Sequence, residues 1–419
     1  MQDLIKKLNA PTIEERLESL EKLLKLETEK PVKREKDANN HIHSIYSFSP
    51  YSPTMAAYMG YKKGLTSVGI MDHDSLSGAK EFKKACKMLG LGSTCGVEVR
   101  VKFNRGFGKI NHPDQKDCIY MAAHGIPEDS IEPFNAYLSS FRSARNRRNQ
   151  KMCKLISNKF GQFGIELDFK KDVLPLSESA FGGSVTERHL LYALAVKLEN
   201  KFGRTKDLLD FLTNKLNLKV NEKISGYLLD QENPHFLYDL LGVLKADTAF
   251  FYIDADEEMP LAEDFIKKAK EFGAIPAYAY LGDVGNSVTG DKKPQKFEDD
   301  YLDDLIVEIK KVGINAIAYM PTRNTKEQLV RLSALCKANN LFEISGEDIN
   351  SPRQKFECEA LKDPMFAHLI DATWALIGHE AESSKSGIQS GMFASEVESP
   401  QDLQERIQKY AKLGRKTIE

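Results

Sequence analysis

His41 and His43 stand one residue apart in the segment NNHIHSIYSFSPYSP. In an extended chain that spacing puts both imidazoles on one face. Imidazole and carboxylate are ligands for Zn, Mn and Fe, and bridging carboxylates suit centres with more than one ion. Further residues of both types recur along the chain: Asp72-His73-Asp74 after TSVGIM, Glu98 within CGVEV, Asp283 after AYAYLG, and Asp348 and Asn350 in GEDIN after LFEIS. Each has an ordinary alternative. An HxH pair serves as a hydrogen-bonded strand pair, and Asp74 or Asp283 after a strand suits a helix N-cap. Glu98 is less easily explained that way, because a carboxylate in an apolar strand needs a partner once buried. Recurrence at separate strand ends points to a metal centre.

Such residues need a sheet to bring them together. From residue 40 onward, LTSVGI, STCGVEV, CIYMAAHGI, FFYIDA, AIPAYAY, NAIAYM and LFEIS alternate with helical stretches. That alternation predicts βα units in a parallel sheet or barrel, whose site gathers at the strands' C-terminal ends. The barrel is expected over 37–128 and 244–380. Residues 1–36 predict a helical extension, with Thr12 and Glu15 as a capping box and Ile13, Leu17, Leu20 and Leu24 at helical spacing. Strand signals are scarce over 129–243, where SSFRSARNRRNQKMCKLISNKFG and SVTERHLLYALAVKLENKFG predict a mainly helical insertion. The second helix is opened by a Ser184/Glu187 capping box. DEEMP at 256–260 reads as a helix start, and 381–419 as a C-terminal helical extension.

Composition narrows the function classes. The 419 residues are 41% hydrophobic and 29% charged, with a formal net charge of −2, so no global field draws the chain to nucleic acid or an anionic membrane. Six cysteines without a CxxC pair argue against a zinc ribbon or a disulfide framework. No signal-peptide pattern or run of 18 apolar residues occurs, which predicts a cytoplasmic protein without a membrane partner. The glycines of YLGDVGNSVTGDKK do not spell a P-loop, and no GxSxG elbow is present. The basic run Arg142, Arg145, Arg147, Arg148 and Lys151 reads first as a solvated helix face.

The motifs in their order resemble the PHP (polymerase and histidinol phosphatase) family. HIHSIYS is similar to its opening HxH segment, GIMDHDSLSG to its TDHD motif, GVEVR to its Gly-x-Glu, and LFEISGEDINSPR to its closing Gly-Ser-Asp-x-His. RNRRNQKMCKLISNKFG and TERHLLYALA resemble segments of the branch acting on nucleotides and RNA ends. The resemblance spans about residues 38–380. It implies a distorted seven-stranded β/α barrel holding one to three divalent ions (Mn, Fe, Zn or Mg), with His41, His43, His73, Glu98 and Asp348 as ligands and Glu98 as a bridge. It places Arg188 and His189 on the substrate side, with Arg148 a further candidate. The departures are specific. Phe48 stands where the family has a ligand, Tyr120 replaces a histidine with His124 four residues on, Ala279-Tyr280-Leu281-Gly282 replaces AHPG with Asp283 following, and Asn350 replaces the last histidine. Pro321-Thr322-Arg323 replaces a PxH segment. Asp283, His124 and Asn350 are the expected substitutes.

The implied chemistry is hydrolysis of a phosphate ester (nucleotide, sugar phosphate or RNA end) by metal-activated hydroxide. Arg188 and Arg323 would hold phosphoryl oxygens, and His189 would protonate the leaving group or hydrogen-bond a phosphate. Two other readings remain open: a barrel hydrolase of carbon–nitrogen bonds, and a degenerate barrel that binds a ligand or partner without chemistry. The sequence leaves oligomeric state open.

Overall fold

The computed structural model describes the chain except residues 29, 113, 286–294 and 399–401 and 419, and the side chains of 35, 396 and 398. Most of the glycine-rich stretch after Asp283 thus lies outside the described residues, as does the start of the SPQDLQ segment.

Seven strands form one sheet in sequential order: β1 (Arg34–Ile42), β2 (Leu65–His73), β3 (Gly92–Lys102), β4 (Cys118–His124), β5 (Ile275–Ala279), β6 (Ala316–Tyr319) and β7 (Phe342–Ser345). β2 and β3 are buried along nearly their whole length, the pattern of strands covered on both faces. The chain closes the sheet on itself beyond β7. The His43 N–H donates to the Ile349 carbonyl at 2.9 Å, and the Ile349 N–H donates to the His41 carbonyl at 3.1 Å. This closure sets the segment carrying Asp348 directly beside the two histidines. It also demands Gly346, where a Cβ would lie 2.7 Å from the His41 backbone nitrogen. The result is a distorted (β/α)7 barrel.

One expectation is corrected here. The sheet is parallel except at β4, which runs antiparallel to both β3 and β5. A purely parallel barrel would end every strand at the site. The reversed β4 instead places Tyr120 opposite Arg100 and sends His124 deeper, opposite Gly96.

Helices α1 (Gln2–Lys7) and α2 (Ile13–Leu26) pack Leu8, Leu17, Leu20 and Leu23 into the barrel core, beside α3 (Pro53–Lys62) and α4 (Ala79–Leu89). Thr12 caps α2 by accepting from the Glu15 N–H. The contact is locked by Arg16, which is buried and donates two hydrogen bonds to Glu81 at 2.9 and 2.7 Å.

Between β4 and β5 lie α5 (Glu128–Phe160), α6 (Glu187–Phe202), α7 (Lys206–Asp210), α8 (Glu222–Leu229) and α9 (Phe236–Leu244). They share a core of their own, including Met152, Ile156, Phe160, Leu190, Leu194, Leu198, Phe211 and Leu240. FFYIDA is not a strand: Phe251 fills this helical core. DEEMP does not start a helix either. Glu258 is drawn into buried arginines, and α10 (Ala262–Glu271) begins later.

The remaining helices are α11 (Leu302–Lys311), α12 (Lys326–Ala338), α13 (Ala367–Ser386), α14 (Ser395–Glu398) and α15 (Leu403–Arg415). α13 runs unbroken through residue 380 and packs on β1, β3 and β7. α15 crosses it at Gly378 and Gly414, where a Cβ on either would lie about 2 Å from a facing carbonyl oxygen, so nothing larger fits. Among the described residues no helix is long and apolar enough to cross a membrane.

Candidate metal centre

His41 lies one residue before the end of β1, His43 follows the strand, His73 ends β2, Glu98 lies on β3 and Asp348 follows β7. Their side chains meet. His43 Nε2 is 3.1 Å from Asp348 Oδ1 and 4.0 Å from Glu98 Oε2. His41 Nε2 is 3.8 Å, and His73 Nδ1 3.0 Å, from that same Glu98 oxygen. Two overlapping triads result, His41–His43–Asp348 and His43–His73–Glu98, each with ligand atoms within 4.8 Å of one another. Ligands bound to one ion at about 2.0–2.2 Å are separated by roughly 3–4 Å, the spacing seen here. The Nε2 atoms of His41 and His43 are buried and make no well-aligned hydrogen bond, which leaves both lone pairs directed into the cluster. This donor set fits a divalent cation.

The electrostatics couple acids and imidazoles: against the pull of burial, Glu98 and Asp348 raise the His41 pKa, so an ion bound there displaces a proton. Burial opposes ionisation of Glu98, yet His73 and His41 more than offset it and hold the carboxylate well below its usual range. At Asp348 burial is likewise overcome, by His43, His41 and Arg188. Burial, aided by the charge of His73, depresses the His43 pKa despite Asp348, which favours the neutral imidazole that ligates metals.

Asp72 was quoted in the sequence motif but assigned no role, and the structure gives it one. Its buried carboxylate accepts from the Ser44 N–H at 2.6 Å, the Ser44 hydroxyl at 2.6 Å and the Ser47 hydroxyl at 2.7 Å. Ser47 Oγ, having spent its proton on Asp72, faces His43 Nδ1 at 3.3 Å as an acceptor. That assigns the imidazole proton to Nδ1 and leaves Nε2 free for a cation. The HxHSxxS spacing carried this signal, since both serines lie on the turn that returns over β2.

The other expected site residues have different surroundings. His124 is fully buried with an unpartnered Nε2; burial and the charge of His41 depress its pKa to about 3, and it belongs to neither triad. Asn350 Nδ2 donates to Asp348 Oδ1 at 2.5 Å, so it orients the aspartate. The Asp283 carboxylate accepts from the Phe297 N–H at 2.6 Å and closes its own loop, outside both triads. Asp74 caps no helix; it has φ 52° and pairs with Arg145 at 2.6 Å.

Arg148 is corrected by its partners. It lies buried between Glu258, at 2.6 Å, and Glu187, and also donates to the Ile253 carbonyl at 2.7 Å, so its guanidinium is consumed by the fold. Arg323 donates from Nε to the Leu281 carbonyl at 3.1 Å and lies over Phe297. The predicted Ser184/Glu187 box is replaced by one residue pair further on: Thr186 caps α6, and its N–H donates to His189 Nδ1 at 3.0 Å. Buried and neutral, with its pKa depressed to about 3, His189 has no acidic proton to give a leaving group near neutral pH. Its Nε2–H remains a hydrogen-bond donor. Arg188 is half-buried, has no ion-pair or hydrogen-bond partner among the described residues, and is close enough to stabilise the Asp348 carboxylate.

A seven-stranded barrel with histidines and acids gathered at one end is the architecture, and the comparisons place it. Residues 39–211 match the family model of the PHP domain. No curated protein matches. Among solved structures, a candidate metal-dependent phosphoesterase from Bifidobacterium adolescentis is 18% identical with a TM-score of 0.51, covering 80% of this chain and 96% of its own. An amidohydrolase from Chromobacterium violaceum, with bound sulfate and no metal, is 18% identical with a TM-score of 0.49, covering 75% of this chain and 88% of its own.

Proposed function

We propose that the chain is a metal-dependent phosphoesterase. The observation that carries this reading is the pair of buried, unpartnered imidazole nitrogens converging on two carboxylates held ionised. His41, His43, Glu98 and Asp348 would hold one divalent ion, and Glu98 with His73 would contribute to a second. Because His43 Nδ1 is engaged by Ser47, its single free nitrogen serves one ion. Such ions shield phosphate charge and lower the pKa of water to roughly 7, supplying a nucleophile at neutral pH. Arg188, without an ion-pair partner among the described residues and electrostatically coupled to Asp348, would bind a phosphoryl oxygen of the substrate, and the His189 Nε2–H would hydrogen-bond the same group. The helical segment 129–243 would act as the substrate-side domain over the barrel.

A second reading, a barrel that binds a phosphorylated ligand without turnover, draws on Phe48 and Tyr280. Both stand at family ligand positions and are committed elsewhere, Phe48 to ring packing and the Tyr280 hydroxyl to Asp299 at 2.6 Å. Elemental analysis of protein purified without chelator, followed by Mn-dependent phosphate release from a panel of phosphate esters, tests both readings. The proposal expects at least one equivalent of metal and turnover, both lost in His43→Ala. Metal without turnover on any ester would favour the second reading, and absence of metal after Mn soaking would end the first.

A further inference from the structure

His73 ends β2, and the chain leaves the sheet at the next residue. Asp74 donates its N–H to the Glu98 carbonyl at 2.9 Å, closing a ladder whose final pair is His73 and Glu98, and then turns with φ 52°. A left-handed conformation at a residue other than glycine persists only where its surroundings hold it. Here the holding groups come from the helical segment. Arg142 of α5 donates to the Asp74 carbonyl at 2.7 Å, and Arg145 pairs with the Asp74 carboxylate at 2.6 Å. Asn135 of α5 accepts from the Leu76 N–H at 3.1 Å and donates to the Ser77 hydroxyl at 3.0 Å. The Ser75 hydroxyl donates to the Gly182 carbonyl, ahead of α6, at 2.8 Å. Asn135 also accepts from Arg142 at 3.0 Å, so the groups on α5 lock one another. Every residue from Asp74 to Ser77 is thus bonded to the helical segment.

That loop bears on one ligand of the cluster. His73 meets Glu98 through Nδ1 at 3.0 Å and stacks on His43 with centroids 4.6 Å apart. His41, His43 and Asp348 take their places instead from β1 and from the closure beyond β7. We infer that Asn135, Arg142 and Arg145 are positioning residues for His73, so that the ion held by His73 and Glu98 binds tightly only while the helical segment is docked. The ion held by His41, His43 and Asp348 is independent of that docking. Coupling between two binding events is reciprocal, so an ion at His73 in turn tightens the loop on α5. The helical segment is then part of the second ion's site as well as a cover for substrate. The inference rests on the two-ion reading of the cluster.

Mn titrated into chelator-stripped protein, with free Mn counted by electron paramagnetic resonance, separates the two ions. His73→Ala identifies the second by removing it. Arg142→Gln and Asn135→Ala, both at partly exposed positions, are expected to weaken that same ion about tenfold and to leave the first unchanged. A merely structural role would lower both affinities together or neither. Hydrogen exchange supplies a second measurement that needs no variant. The Leu76 N–H, bonded to Asn135, should exchange more slowly with two Mn bound than with one. Equal loss of both ions, loss of neither, or a Leu76 amide indifferent to the second ion would overturn the coupling while leaving the cluster intact. A single ion in the unmodified protein would remove the second-ion assignment and the coupling together, and no ion at all would remove the phosphoesterase reading as well.

Discussion

At the scale of single residues, the cluster depends on groups that never touch an ion. The Asp72 carboxylate holds Ser44 and Ser47, and Ser47 in turn fixes which nitrogen of His43 is free. Converting Asp72 to Asn keeps the shape but turns one acceptor into a donor facing a donor. Losses of outer groups of this kind typically cost 10–100-fold in metal affinity. Asp72→Asn should therefore weaken Mn binding by roughly that range while the fold persists, measured by calorimetric titration and circular dichroism; an unchanged affinity would remove Asp72 from the role. Strand-end position in the sequence was enough to bring His41, His43, His73 and Asp348 together, because parallel strands deliver their C-terminal residues to one place, and Glu98 joins them from within β3 because it lies in register with His73. His124 lies outside the two triads, on the reversed β4 that a run of apolar residues does not reveal. Asp283 lies outside them too, since a carboxylate after a strand caps its own loop as readily as it faces a site.

At the scale of elements, the join between barrel and helices is ionic. Arg100 of β3, with Arg145 and Arg148 of α5, meets Asp74, Glu187 of α6 and Glu258, so three cations face three anions in a buried cluster. The sequence offered the arginines as a solvated face, because a basic run carries no mark of the distant acids that bury it. α5 and α6 themselves were legible, since long helical periodicity is a local property, whereas their docking depends on partners from 39 to 113 residues away. Glu258 is the hub, with contacts to all three arginines. Replacing it by Gln strands buried positive charge, and breaking one partner of a buried pair costs about 3–5 kcal/mol. Glu258→Gln should show a loss of that order in urea unfolding. Because Glu187 adjoins Arg188, it should also disturb whatever binds at the substrate side. A double substitution, Glu258→Gln with Arg148→Met, should recover part of the loss by removing the excess charge.

At the scale of the whole molecule, stability should fall on acidification, and the sign follows from which groups are buried neutral. His112, His124 and His189 have pKa values depressed to about 3, and His379 to about 4, in every case chiefly by burial. Below pH 6.5 the unfolded chain protonates these imidazoles while the folded chain does not, so each contributes stability that is present above that pH and is lost as pH falls toward its folded value. Groups whose folded pKa is raised act in the opposite sense: the imidazoles of His41 and His368, which, against burial, Glu98 and Glu343 raise, and buried carboxyls that include Asp72, Asp37 and Glu298. Burial raises Asp37 to about 6 and Glu298 to about 7, so they hold protons in the fold that the unfolded chain has released, and they favour the fold at lower pH. Among these valued groups four histidines outweigh two carboxyls between pH 4.5 and 6, and the depressed carboxyls of Glu98, Asp348, Glu187 and Glu258 add to the same side, which gives greater stability at higher pH. Urea unfolding with metal chelated, at pH 5 and pH 7, measures it; a flat or inverted profile would contradict the assignment. His379 isolates one contribution. Its Nε2 lies 2.9 Å from the Gly273 carbonyl and its Nδ1 accepts the Met392 N–H at 2.9 Å, so a proton on Nδ1 would cost that second bond. Gln can donate to one and accept from the other without titrating. His379→Gln should then fold at pH 7 and lose about one proton's worth of the pH dependence below 6.5, which a full-strength slope in the variant would refute.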